Sequence, residues 1–480
     1  MKANQVVDAG QVPEPFGATA NLTAASPLMA ISPLDGRYVS QTRELRLHFS
    51  EFALIKCRFK VEVEWLIYVL DKIKLRSAPH ITPDQITMLR QWVDEFGEED
   101  AIAVKKCEIQ TRHDVKAVEY HLRNRLAVNG CSNFVPYAHF CCTSEDINNI
   151  SHALMLRGGL RDVWRPAAAS MLTELARLAR SCADLPMLSR THGQPASPTT
   201  LGKELAIFVH RFRRQLDQLD AQPFLAKFSG AVGNYNAHTA AYAEIDWVGV
   251  TKDFLAGFEL QANPATTQIE SHDYMAELFH GLGRTNTILI DMTRDIWMYI
   301  SFGYFRQHLY KGEVGSSTMP HKINPIDFEN AEANAGISNA ILEHLAAKLP
   351  ISRLQRDLSD SSAIRTVGMG IGHALLALKG CLAGLLKVDV DANRVLADLN
   401  RNWAVLGEAI QTILRKHGAE DAYERIKEAT QDREMTPSII RGFVERSDIP
   451  EPDRSFLLSL TPASFIGLAP EIARSVLGEC

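Results

Sequence analysis

The sequence predicts an all-α protein of more than one domain, organised around a bundle of long helices. Three observations carry that prediction. Apolar residues recur at helical spacing over long stretches, above all Leu278, Leu282, Thr285, Leu289, Met292, Ile296 and Tyr299, which step by three and four. Segments rich in strand formers are short and scattered. A chain of 480 residues also exceeds what one core organises, so two or three domains are expected.

Taken in order, residues 1–27 are rich in Ala, Pro, Gly, Asn and Thr, lack helical periodicity and carry Lys2 as their only basic residue. They read as a loosely ordered N-terminal tail, and their composition does not suit an Arg-rich transit peptide. Residues 28–132 form a smaller N-terminal helical domain that closes near Asn129-Gly130. Residues 133–386 form the central bundle. Its helices are expected from about Thr199 to Gln222, from about His272 to Arg306, after Pro325, and from about Ala363 to Leu386. Small residues after Pro325 (Ala331, Ala335, Ala340) allow close helix approach. At 1.5 Å per residue such helices span about 40 Å or more. The run Lys387 to Asp391 marks the passage to a C-terminal helical domain over 387–480. The glycines at 368, 370 and 372 follow no strand and miss the dinucleotide-loop spacing, so they read as close helix packing.

With 46% hydrophobic and 22% charged residues, the chain has an ordinary globular composition. A net charge of −6 argues against a broad nucleic-acid surface while permitting a local cationic pocket. No uninterrupted apolar run of about 18 residues appears, so no membrane span is expected. Eight irregularly spaced cysteines fit reduced thiols in a cytoplasmic enzyme better than a disulfide framework. His139 beside Cys141 and Cys142 lacks a second ligand pair, so no metal is expected.

The most specific stretch runs from Gly315 to Pro325. Gly312 and Gly315 loosen a loop that presents Ser316, Ser317, His321 and Lys322, and Pro325 suits the first turn of the following helix. Such a loop can close over a small substrate, or simply connect two helices. Four other polar clusters interrupt apolar sequence. They are Asp35 to Tyr38, Thr111 to Asp114, Thr143 to Asp146, and Thr191 to Pro195, which holds His192 in irregular backbone. The second and third also fit plain helix N-termini, with Asp114 in a first turn and Thr143 or Ser144 as cap.

Together these clusters resemble the adenylosuccinate lyases of the fumarase/aspartase superfamily, in their longer bacterial-type branch. The resemblance runs from about Ile31 to the C-terminal region. It rests on Ser189 to Ala196, Gly230 to His238, Thr267 to Glu270 and Gly315 to Asn330, narrowed by Arg112-His113-Asp114 and Gln355 to Ser361. It implies a three-domain fumarase/aspartase-like fold whose central helices assemble in a homotetramer, with active sites shared between subunits. It also implies a cofactor-free C–N lyase that removes fumarate from adenylosuccinate and from SAICAR by anti β-elimination, in purine and AMP biosynthesis.

By the same resemblance, Ser316 is the base, His192 the acid, Lys322 a stabilising cation, and Glu329 the carboxylate that orients the histidine. Arg37, Tyr38, Arg112, Arg356, Ser361 and Arg365 match positions on the nucleotide and its phosphate. His113, Asp114, Thr143, Ser144, Gln268 and Asn324 match positions around base, ribose and succinyl group. Asn330 stands where the shorter branch carries Arg, which leaves the phosphate contacts at that position open. The competing readings are a sister lyase acting on argininosuccinate or a smaller fumarate adduct, and a non-catalytic scaffold. The arginines oppose a substrate as small as malate, and retention of Ser316, His192, Lys322 and Glu329 opposes the scaffold.

Overall fold

A computed structural model describes residues 26–312, 315–319, 321–430 and 435–478. Most of the expected tail, residues 1–25, lies outside the described residues, as do Pro320 and Cys480. The chain divides into a short unit ending at Arg43 and a large unit from Glu44 onward. In the first unit, Tyr38 precedes the Val39–Thr42 turn of helix, and its carbonyl accepts from the Thr42 hydroxyl at 3.0 Å. The Arg37 guanidinium lies 5.8 Å from the centre of the Tyr38 ring.

Within the large unit, helices Glu51–Ile67, Pro83–Asp94, Glu98–Thr111 and Asp114–Val128 share an apolar cluster that includes Phe59, Trp92, Phe96, Leu122 and Phe134. A second and much larger cluster joins five long helices: Arg165–Ser181, Leu201–Asp220, Asp273–Phe302, Ile326–Lys348 and Val367–Leu385. Shorter helices follow from Ala392–Asn400 onward, four of them around Ile410, Val444 and Leu457. The last helix, Ala469–Leu477, folds back on the bundle, with Ala473 and Leu477 in the large cluster.

The 30-residue Asp273–Phe302 helix, about 45 Å long, shows how pattern becomes packing. Leu278, Leu282, Leu289, Met292 and Ile296 are buried, whereas Glu277, Arg284, Asp291 and Arg294 face outward. Each fully buried leucine contributes roughly 1.5–3 kcal/mol. The helix stops at Gly303, whose φ of 76° closes a left-handed cap. Its seam is covered within the chain, so it carries no argument about assembly. A polar layer sets the register there. Asn286 donates to Ser338 Oγ and to Asn339 Oδ1, both at 2.9 Å, and Ser338 donates to the Gly370 carbonyl at 2.8 Å. A Cβ on Gly370 would lie 2.9 Å from Leu342, so the glycine run is a packing device.

Helix bounds differ from the sequence reading by a few residues at each end, as fraying and caps dictate. Among the described residues, strands form three two-stranded pairs. One of them, Phe305–Gln307 with Val388–Val390, ties the Lys387–Asp391 passage to the end of the bundle. One stretch, Ser359–Leu385, is long and apolar enough to cross a membrane by length and composition, but 67% of its apolar window is buried inside the protein. It reads as a core helix. Seven cysteines are free thiols among the described residues.

Candidate active site

The first predicted cluster sits on a break between helices. Arg112 caps the Glu98–Thr111 helix in the left-handed region (φ 52°), and His113 caps the start of Asp114–Val128. His113 Nδ1 accepts the Lys116 amide at 3.2 Å, which puts the ring proton on Nε2, 3.4 Å from Ser144 Oγ. Thr143 caps the Ser144–Gly158 helix through a capping box with Asp146. Asp146, fully buried, also pairs with Lys227 Nζ at 2.8 Å and accepts the Ser229 amide at 3.0 Å. Lys227 in turn donates to the Gln268 carbonyl at 2.9 Å. A buried ion pair therefore locks the Thr143–Ser144 edge to the Gln268 segment.

These segments meet in a cleft of ≈ 610 Å³. Arg112, His113, Asp114, Thr143 and Ser144 line one part of it; Gln268, Arg356, Ser361 and Arg365 line the rest. Arg356 organises its wall, donating to Gln268 Oε1 and to Ser361 Oγ, each at 3.2 Å, and lying 3.1 Å from Glu145 Oε2. Arg365 bridges Glu51 at 2.7 Å and Asp114 at 3.2 Å. Sequence reasoning missed Arg58, Asn148, His152 and His272, which line the same cleft, and passed over Glu145 and Asp360 inside two of the motifs it singles out. Arg58 offered a signal, being with Glu62, one turn further on, a charged residue in the buried face of Glu51–Ile67. It donates to Asn148 at 2.8 Å and to Asp114 at 2.7 Å.

Electrostatics divide the carboxyl groups. Burial pushes Glu145 up, and Arg356 and His272 only partly offset it. Burial also raises Asp360, but His272, Arg356 and the Ser361 amide outweigh that and hold it below the usual range. Asp114 likewise ends low, because Arg58, the Val115 amide and Arg365 overcome its burial. Burial, then the charges of Arg58, His272 and Arg365, push His152 down to about 3, so its imidazole is neutral at pH 7. Environments that separate like groups this way are typical of sites that handle protons and anions.

Glu145, His272 and Asp360 place ligand atoms within 4.8 Å of one another. The Arg356 guanidinium already supplies a cation to the same carboxylate, which makes the trio a poor metal site. Two buried polar atoms here have no hydrogen-bond partner, Arg356 Nε and His272 Nδ1. Four arginines and four carboxylates line the cleft, so it is not strongly cationic by itself. A polyanion seated there needs further positive charge from elsewhere.

Among the remaining predicted residues, His192, Ser316, Lys322, Asn324, Glu329 and Asn330 do not line the cleft. His192 occupies the first central position of a two-residue hairpin turn between strands Pro186–Thr191 and Gln194–Thr200. Its φ of 55° and that of Gly193 at 76° form the primed turn that matches strand twist. A non-glycine residue held there is uncommon, and the turn projects the ring outward into an exposed position. Ser316 Oγ accepts the Met319 amide at 3.2 Å. A Cβ on Gly315 would lie 2.6 Å from the Lys322 carbonyl, so glycine lets the loop fold back on itself beneath Ser316. Lys322 is exposed and Asn324 half-buried. Glu329 lies on the first turn of Ile326–Lys348, where the helix N-terminus favours a carboxylate, and Asn330 bonds Asn334 at 2.7 Å. Arg37 and Tyr38 belong to the short first unit.

Comparison with known proteins covers nearly the whole chain. Residues 36–338 match the Lyase family and residues 352–466 the Adenylosuccinate lyase C-terminal family. The chain is 48% identical over 448 residues to an adenylosuccinate lyase from Escherichia coli, covering 92% of this chain and 98% of that protein. It is 47% identical over 455 residues to one from Haemophilus influenzae, covering 94% and 99%. In fold it resembles the crystal structure of 3-carboxy-cis,cis-muconate lactonizing enzyme from Pseudomonas putida. That match has a TM-score of 0.72 at 22% identity, over 91% of this chain and 96% of that one.

Proposed function

Since the chain belongs to the adenylosuccinate lyase family, we propose that it releases fumarate from adenylosuccinate, giving AMP, and from SAICAR, giving AICAR. The observation that carries this reading is the cleft itself. Four motifs distant in sequence converge there, with Arg112, Arg356 and Arg365 beside hydroxyls and amides suited to phosphate, ribose and base.

The chemistry is an anti β-elimination. A base removes a weakly acidic proton from the succinyl carbon, the electron pair delocalises into the adjacent carboxylate, and the C–N bond then breaks as an acid protonates the leaving nitrogen. Ser316 is the base, acting as an alkoxide when the loop excludes water, and Lys322 stabilises that alkoxide or the developing aci-carboxylate. His192 is the acid, oriented by Glu329 as the third member of a triad orients its histidine. Asn324 and Asn330, with Arg37 and Tyr38, complete the contacts to substrate. Because His192, Ser316, Lys322 and Glu329 stand outside the cleft that their own chain forms, a working site takes its cleft from one copy and its reacting groups from others, in a homotetramer. This also answers the charge problem, as Lys322 brings a cation that a near-balanced cleft lacks.

The direct test is to incubate the purified protein with adenylosuccinate, without added metal, and to follow AMP and fumarate. Equal amounts of both are expected, with SAICAR as the next substrate. No products from folded, assembled protein would sink the reading, and turnover of argininosuccinate instead would identify a sister lyase.

A further inference from the structure

Trp297 is a large aromatic side chain left 42% exposed on the Asp273–Phe302 helix. Its indole N–H has a definite partner: it donates to Glu329 Oε1 at 3.2 Å. The contact belongs to a ladder between two antiparallel helices. Asn286 reaches Ser338 and Asn339, Arg294 reaches Glu332 at 2.8 Å, and Trp297 reaches Glu329 three residues further along each helix. The Arg294–Glu332 rung fixes the register one turn away, so the indole meets the Glu329 carboxylate at a set position. Among the described residues, that indole is the side-chain hydrogen-bond partner of Glu329.

We propose that Trp297 is a positioning residue for Glu329. The proposal rests on the reading of Glu329 as the carboxylate that orients the catalytic histidine. A carboxylate on a flexible side chain has two oxygens and several rotamers, and an orienting group must present one oxygen in a fixed direction. The indole anchors Oε1 and leaves Oε2 for an imidazole N–H. Trp suits the task because its N–H is a donor only, rigidly held, and neutral, so it does not compete with the histidine for the carboxylate charge. A second cation at this position would form a salt bridge and weaken the carboxylate as a partner for imidazolium.

The test compares Trp297→Phe, replacement of Trp297 by β-(3-benzothienyl)alanine, Glu329→Gln, and the double variant Trp297→Phe/Glu329→Gln. The benzothienyl side chain keeps the shape of the indole and removes only the N–H, so packing is preserved even where Trp297→Phe folds or assembles poorly. The expected result is a kcat about tenfold lower with KM within about twofold for the benzothienyl variant. In the Glu329→Gln background, loss of the N–H should have no further effect on kcat. A normal kcat for the benzothienyl variant beside a low one for Glu329→Gln overturns the proposal alone. Multiplicative losses in the double variant also overturn it, since Trp297 would then act independently of Glu329. A wild-type kcat in Glu329→Gln overturns the underlying reading of Glu329 and the proposal with it.

Discussion

The cleft and the outward segments are built in opposite ways. Around the cleft, side chains are fixed by charge: Arg58 on Asp114, Arg356 on Glu145, and Lys227 on Asp146, the last pair wholly buried. His192, by contrast, sits at the tip of a hairpin turn, and Ser316 and Lys322 sit on a glycine-containing loop, where Ser316 Oγ accepts the Met319 amide. The difference teaches where each kind of work belongs. Recognition of a polyanion benefits from groups whose geometry is set before the ligand arrives. Proton transfer under a closing loop needs groups that approach late and then exclude water. On this account the chain preorganises its binding wall and exports its reacting groups to a neighbouring copy.

The largest expected effect falls on the loop. Ser316→Ala should lower kcat by about a thousandfold or more while leaving KM within a few fold, because the alanine removes the base and leaves the cleft intact. Near-normal turnover would remove Ser316 from its role. The next effect falls on the wall and is one of stability. Lys227→Met strands Asp146 as an uncompensated buried charge, which costs about 3–5 kcal/mol. Thermal unfolding should show a clear loss, and an unchanged transition would mean that the pair does not fix the cleft.

A smaller effect separates recognition from chemistry within the wall. Arg356→Lys keeps the charge and loses the fork that reaches Gln268 and Ser361 together, so KM should rise about tenfold with kcat less changed. A fall in kcat alone would place Arg356 with the reacting groups instead. The smallest effect is on acid stability. Asp114 is held low in the folded protein, so its contribution is present above the unfolded value of about 3.9 and is lost as pH falls through the folded one. Asp114 is partly exposed, which trims the contribution by solvent screening. Asp114→Asn should therefore be less stable than wild type at pH 7, with the gap closing toward pH 3. A gap that stays constant with pH would assign it to lost packing.

How much was legible beforehand also follows the division between these regions. Periodicity located four of the five long bundle helices, since a stripe such as Leu278–Ile296 needs no tertiary information, but it passed over Arg165–Ser181. The polar motifs that interrupt apolar sequence led to most of the cleft residues named from the sequence, because loops and helix caps advertise themselves by composition. His152 and His272 were not named as site residues, and Glu145 and Asp360 were passed over inside motifs already singled out, for a physical reason. On a helix or at its end, a charged or polar residue ordinarily faces solvent, and only packing reveals that these four line a cleft. The hairpin under His192 was likewise hidden, since a histidine in a primed turn contradicts the usual preference for Asn or Gly. The link between Trp297 and Glu329 appears only once two helices lie side by side.

The central proposal is that the cleft of one copy works with the reacting groups of another. Mixing Ser316→Ala with Arg356→Ala, dissociating and reassociating them, and assaying adenylosuccinate cleavage at low substrate tests it directly. The account predicts that hybrid assemblies regain activity, because some sites then combine an intact cleft with an intact loop. Hybrids confirmed by mass spectrometry that remain as inactive as either parent would contradict it, and would place Arg356 and Ser316 in the same chain's site.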